Sequence, residues 1–131
     1  MTRLALFHGT RAASEILKRG FRPSASGEYG PGIYFARNPY TANFYAWHVA
    51  RGPERPAVLK ADIVVEQPFA VEKLDWIRLT ERSTPRAVHR RLMRRGFDSI
   101  FATGLTSSDQ QVVVFSAEQI VPGSIQKVSV T

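Results

Sequence analysis

Cysteine is absent from this chain, which excludes disulfides, thiolate nucleophiles and cysteine-ligated metals and fits a cytoplasmic protein. Acidic residues are scarce: 11 Asp and Glu stand against 18 Lys and Arg, a formal net charge of +7. No apolar run approaches the ~20 residues that cross a bilayer. The opening stretch from Met1 to Phe7 meets His8 and Gly9 too soon to read as a signal peptide. No membrane partner is therefore expected. The three histidines, His8, His48 and His89, lack paired ligand spacing, and no HExxH occurs, so no metal is expected. A GxSxG nucleophile elbow is missing, and no GxGxxG follows a strand, which argues against a serine triad and a Rossmann site.

What remains is an ordinary globular composition. The 131 residues fit one domain, 1–131, and 44% are hydrophobic. Of the 18 basic residues, 14 are arginine. Arginine pairs bidentately with phosphate, so the excess favours a polyanionic neighbour, although it serves solubility equally well.

The patterning predicts a strand over Leu4–His8, then a helix over Arg11–Arg19 capped by Thr10 and ended by Gly20, with Ala13, Ile16 and Leu17 buried. A glycine-rich loop, Ser24–Gly32, leads into a short strand, Ile33–Ala36. Asn38 and Pro39 open a second helix that runs to about Ala50. Strands are expected at Ala57–Val65, with Pro68 as the break, and at Phe69–Val71, followed by connection as far as residue 83. A helix begins at Thr84-Pro85 and closes at Gly96, with Val88 and Leu92 inward and Arg86, Arg90 and Arg94 along another face. Ser99–Ala102, Gln111–Phe115 and Ser124–Val130 are β-rich. Without regular βαβ alternation, this order predicts an α+β domain with largely antiparallel sheets.

Three separated segments stand out. Phe7-His8-Gly9-Thr10 closes a strand, where a histidine makes directed hydrogen bonds and a glycine admits close approach to the backbone. Gly30-Pro31-Gly32-Ile33-Tyr34-Phe35-Ala36 precedes a helix on which Thr41, Phe44, Tyr45 and His48 share a face. On the same helix Tyr40, Phe44 and Trp47 form the neighbouring face, expected to pack the core. Tyr34 and a second aromatic suit a flat cationic ring. Gln110-Gln111-Val112-Val113-Val114-Phe115 places a polar side chain at the edge of an apolar strand. Each segment taken singly also reads as structure: a core histidine, an aromatic stripe, a polar strand end.

Together and in this order, the segments resemble the ADP-ribosyltransferase superfamily, in the poly(ADP-ribose) polymerase-like branch with its His-Tyr-Glu triad and its small bacterial, phage and toxin-type members. His8-Gly9-Thr10 resembles the first motif, the stretch from Gly30 to Ala36 the second, and Gln111-Val112-Val113-Val114-Phe115 with Glu118-Gln119-Ile120 the third. The resemblance spans nearly the whole chain. It implies a split antiparallel sheet and NAD⁺ as substrate. His8 would bind the adenosine ribose, the Gly9 backbone the nicotinamide carboxamide with Thr10 beside it, Tyr34 the nicotinamide ring, and Thr41 the same carboxamide. Phe44 stands where a second stacking tyrosine is common, with Tyr45 as its substitute one residue on.

Gln111 falls where the catalytic glutamate normally sits. It keeps a hydrogen bond but not the charge that stabilises an oxocarbenium-like transition state. Members of the branch without this glutamate are typically mono-transferases or inactive. Asp109 reads as a turn residue, as a group that orients or deprotonates the acceptor, or as a partial replacement for the missing carboxylate. The resemblance therefore implies a mono-ADP-ribosyltransferase acting on RNA, DNA or an acidic protein, with NAD⁺ glycohydrolase and catalytically weak NAD⁺- or ADP-ribose-binding module left open.

Overall fold

The computed structural model describes residues 1–104 and 110–130. Its strands are β1 (Thr2–Thr10), β2 (Ile33–Ala36), β3 (Ala57–Val65), β4 (Pro68–Glu72), β5 (Ser99–Thr103), β6 (Gln110–Val114) and β7 (Gln126–Val128). The helices are α1 (Ala13–Arg19), α2 (Pro39–His48), α3 (Lys73–Thr80) and α4 (Pro85–Arg94). The result is a mixed α+β architecture around a seven-stranded sheet in the order β4-β5-β6-β2-β1-β3-β7.

Every neighbouring pair is antiparallel except β4–β5. That exception has a simple cause: α3 and α4 lie between these two strands and return the chain to the end where β4 began, the crossover a parallel pair requires. β1 pairs with β3 over its full length, from Thr2↔Val65 to Thr10↔Ala57. Among the described residues it meets β2 at one position, Phe7↔Ala36. The sheet thus consists of two well-paired halves that touch at one register point.

Strand alternation divides the apolar residues between the faces. Leu6, Ile33, Phe35, Leu59, Ile63, Val112 and Val114 pack with Phe21, Ala13 and Ile120 on one face. On the other, Val113, Ile100 and Ala102 pack with Trp76 of α3, Val88 and Leu92 of α4, and Tyr29. Ala36, Ala42 and Val58 form a smaller cluster under α2.

Several expectations meet a different structure. The segment after β4 is not connection but α3, whose buried residue is Trp76. Among the described residues it has no side-chain cap at Glu72, and it lacks the start signal that Asn38 and Thr84 supply elsewhere. Thr10 does not cap α1; its hydroxyl accepts from the Ala12 N–H before the helix begins (2.9 Å). Leu17 is exposed, so Ala13 and Ile16 alone face the core.

The largest difference concerns α2. Tyr40, Phe44 and Trp47 do not pack the core but are 62%, 63% and 57% exposed, while Ala42 and Ala46 are buried. The cause is Gly9. A Cβ there would overlap the Ala42 carbonyl oxygen and lie 2.9 Å from the Ala46 nitrogen. The helix is drawn down onto β1 along its smallest side chains, which leaves the bulky ones outside.

Candidate functional site

Beyond Phe7↔Ala36, β1 and β2 part, and His8 spans the opening. Its Nδ1 lies 2.7 Å from the Tyr34 carbonyl oxygen. A carbonyl only accepts, so Nδ1 carries the proton and Nε2 presents its lone pair. Burial lowers the His8 pKa, a tendency the Tyr34 carbonyl bond partly offsets, and the ring is neutral at pH 7. Phe21 and Phe35 hold it edge-on, with centroids 4.9 and 5.8 Å away. The ring is fixed in place and tautomer, with one acceptor to offer.

Tyr34 is held as firmly. Its hydroxyl donates to the Gly30 carbonyl (2.6 Å) and accepts from the Tyr29 N–H (2.9 Å). Burial pushes its pKa up to about 12, helped by nearby Glu28 and opposed by the Tyr29 bond, so it remains a neutral phenol. The loop it plugs is closed by paired backbone bonds between Ser24 and Gly32. Gly30 takes φ +87° there, and a Cβ would sit 3.0 Å from the Pro85 carbonyl oxygen and the His89 Cβ of α4. From outside, α3 braces the same loop: the Trp76 Nε1–H donates to the Glu28 carbonyl (2.9 Å) and Lys73 pairs with Glu28 (3.4 Å). Sequence reasoning missed this brace because it missed α3; a stretch from Lys73 to Thr80 that mixes Leu74, Trp76, Ile77 and Leu79 with charged residues and holds no glycine or proline was the available signal.

Two adjoining cavities open here. The larger, about 540 Å³, is lined by His8, Phe21, Tyr34, Tyr45 and Gln111, with Glu15, Arg19, Arg22 and Glu28 as its charged residues. The smaller, about 120 Å³, is lined by His8, Gly9, Tyr34, Ala36, Thr41, Tyr45 and Gln111. Both share His8, Tyr34, Tyr45 and Gln111 as walls. Gln111 arrives on β6, opposite Ala36 of β2, whose small side chain leaves it room. The adjacent Gln110 is engaged elsewhere, accepting from the Arg37 Nε–H.

Of the residues singled out from the sequence, His8, Gly9, Tyr34, Thr41, Tyr45 and Gln111 therefore converge on one cleft. Two do not join them. Thr10 is buried at the end of β1, its hydroxyl occupied by Ala12. Phe44 points outward and stacks on His48 at 4.4 Å, so it is Tyr45 that faces the cleft. Asp109 lies outside the described residues. Arg19 and Arg22, not singled out from the sequence as site residues, line the larger cavity together with Glu15 and Glu28, with Arg19 in loose contact with Glu15 (3.9 Å).

A depression of about 610 Å³ runs along the outer strand β4, lined by Phe69–Glu72, Asp75, Arg78, Leu79 and Thr103. It gathers none of the constrained polar groups found around His8 and Tyr34. Among the described residues, no group of three or more His, Asp or Glu side chains is close enough to hold a metal ion, and no helix is long and apolar enough to cross a membrane. Compared with models of known protein families and with curated protein sequences, the chain matches none.

Proposed function

We propose that this protein is a mono-ADP-ribosyltransferase that binds NAD⁺ in the His8–Tyr34–Gln111 cleft and transfers ADP-ribose to a macromolecular acceptor, a nucleic acid or a protein. The observation that carries this reading is the convergence of three distant segments, at positions 8, 34 and 111, where the two halves of the sheet part. That opening is also consistent with the split sheet of the transferase fold.

In this reading the nicotinamide lies against the Tyr34 ring with Tyr45 beside it. Its carboxamide meets the Gly9 backbone and the Thr41 hydroxyl. His8 Nε2 accepts a hydrogen bond from the adenosine ribose, and Arg22 and Arg19 lie toward the pyrophosphate. The ribose–nicotinamide bond breaks with its electron pair passing to the pyridinium ring, so nicotinamide leaves neutral. The acceptor then bonds the exposed ribose carbon and loses its proton. Gln111 hydrogen-bonds the nicotinamide ribose without adding negative charge, which predicts slow chemistry.

The test is nicotinamide release from NAD⁺. Wild type should release it slowly. Gln111→Glu should raise the rate about a hundredfold, the scale of one well-placed electrostatic group at a transition state. Tyr34→Ala should abolish release. NAD⁺ that neither binds to wild type by calorimetry nor reacts with Gln111→Glu would end the proposal.

A further inference from the structure

The outward face of α2 is the feature that neither the core nor the cleft uses. With about 100° between successive residues, Ala42 and Ala46 point into β1 and Thr41 and Tyr45 turn sideways to the cleft. Tyr40, Phe44 and Trp47 then fall on the side opposite the alanines. All three are more than half exposed. His48 extends the surface, its ring 4.4 Å from that of Phe44 and inclined by 38°. A soluble protein rarely leaves such a row of aromatic rings uncovered without a binding role.

The charge around these rings distinguishes the occupants. From Arg37 to Arg51 the chain contains no acidic residue, and an exposed arginine bounds this segment at each end. Two such faces meeting in a pair of copies would bring like charges together on a chain that already carries +7. Flat rings bordered by arginines are instead the combination that takes unpaired bases by stacking and their phosphates by charge.

We infer that this face binds single-stranded nucleic acid, with bases lying on Tyr40, Phe44 and Trp47 and the backbone drawn by the charge of Arg51 and of Arg37, whose Nε–H is already given to Gln110 and whose guanidinium lies 5.2 Å from the centroid of the Phe101 ring. The same helix carries Tyr45 and Thr41 into the cleft. A strand on its outer face therefore runs beside the opening, where it would serve as the ADP-ribose acceptor. That last role rests on the transferase reading; binding does not.

Fluorescence separates the possibilities, because of the two tryptophans Trp76 is only 2% exposed and Trp47 is the accessible one. A labelled oligothymidylate or oligouridylate of about ten nucleotides, within the usual footprint of stacking sites, should quench wild-type emission. It should bind more tightly than a duplex of equal length. Trp47→Phe should lose the quench yet keep binding by anisotropy, since the ring survives. Tyr40→Ala/Trp47→Ala should weaken binding about tenfold or more, with an unchanged melting temperature and unchanged nicotinamide release. Wild-type-like affinity in the double variant, equal affinity for duplex, or a dimer that the double variant dissociates would overturn the inference. Nicotinamide release measured on the same samples shows separately whether the transferase reading stands.

Discussion

His8 combines burial with a fixed proton. Its Nδ1–H is committed to the Tyr34 carbonyl, and desolvation keeps the ring uncharged. His89 of α4 is displaced in the same direction, first by burial and then by the Arg86 charge, and its Nε2 is buried without a hydrogen-bond partner among the described residues. Both groups have a folded pKa below the ordinary value of 6.5. Between those two values the unfolded chain takes up protons that the folded one refuses. The histidine contribution to stability is therefore complete above about pH 6.5 and declines as pH falls below it. The melting temperature should drop between about pH 7.5 and about pH 5, and His89→Leu should flatten that slope. At this scale much of the site was legible. His8, Tyr34 and Gln111 were marked by their neighbours in the chain. The choice of Tyr45 over Phe44 was not, because it depends on how far α2 is rotated.

That rotation is decided between elements. α2 begins where Asn38 and Pro39 predict, with the Asn38 side chain accepting from the Tyr40 N–H (2.7 Å). Helix periodicity then offers two candidate faces, the aromatic one and the alanine one, and hydrophobicity favours the first. Close approach of Gly9 reverses the choice, because backbone-to-backbone contact admits only small side chains. Gly9→Ala should therefore cost about 1–3 kcal/mol, the range for forcing extra volume into a packed interior, as α2 is pushed from β1. It should also weaken NAD⁺ binding, since Thr41 and Tyr45 ride on that helix. Chemical denaturation and calorimetry on one preparation measure both. Tyr34→Phe provides a contrasting case. It would remove the hydroxyl's bonds to the Gly30 carbonyl and the Tyr29 N–H and loosen the loop without moving α2. α3 presents the opposite problem of legibility: with no side-chain cap among the described residues, it is held by the packing of Trp76 against β5, β6 and α4 and by its contacts with the glycine-rich loop.

Across the whole molecule, the two halves of the sheet meet at Phe7↔Ala36, and the cleft opens beside that point. A ligand seated there touches β1 on one side and β2 and β6 on the other, so it ties the halves together. With free NAD⁺ at about a hundred times its dissociation constant, the folded state should gain about 2.7 kcal/mol. Thermal melting measures the gain. Hydrogen exchange should show added protection in β1 and β2 together. Protection confined to one half would contradict a ligand bridging both.

The order of apolar, glycine-rich and capped segments determined most of the strands, three of the helices and the mixed α+β class. These follow from local geometry: alternation along strands, glycine where a loop turns sharply, and side chains that satisfy helix N-termini. Tertiary structure alone decided the parallel β4–β5 pair, the brace from Trp76 to the site loop, and which face of α2 lies outward. Each depends on how closely two distant backbones approach, a distance that residue spacing along the chain does not contain.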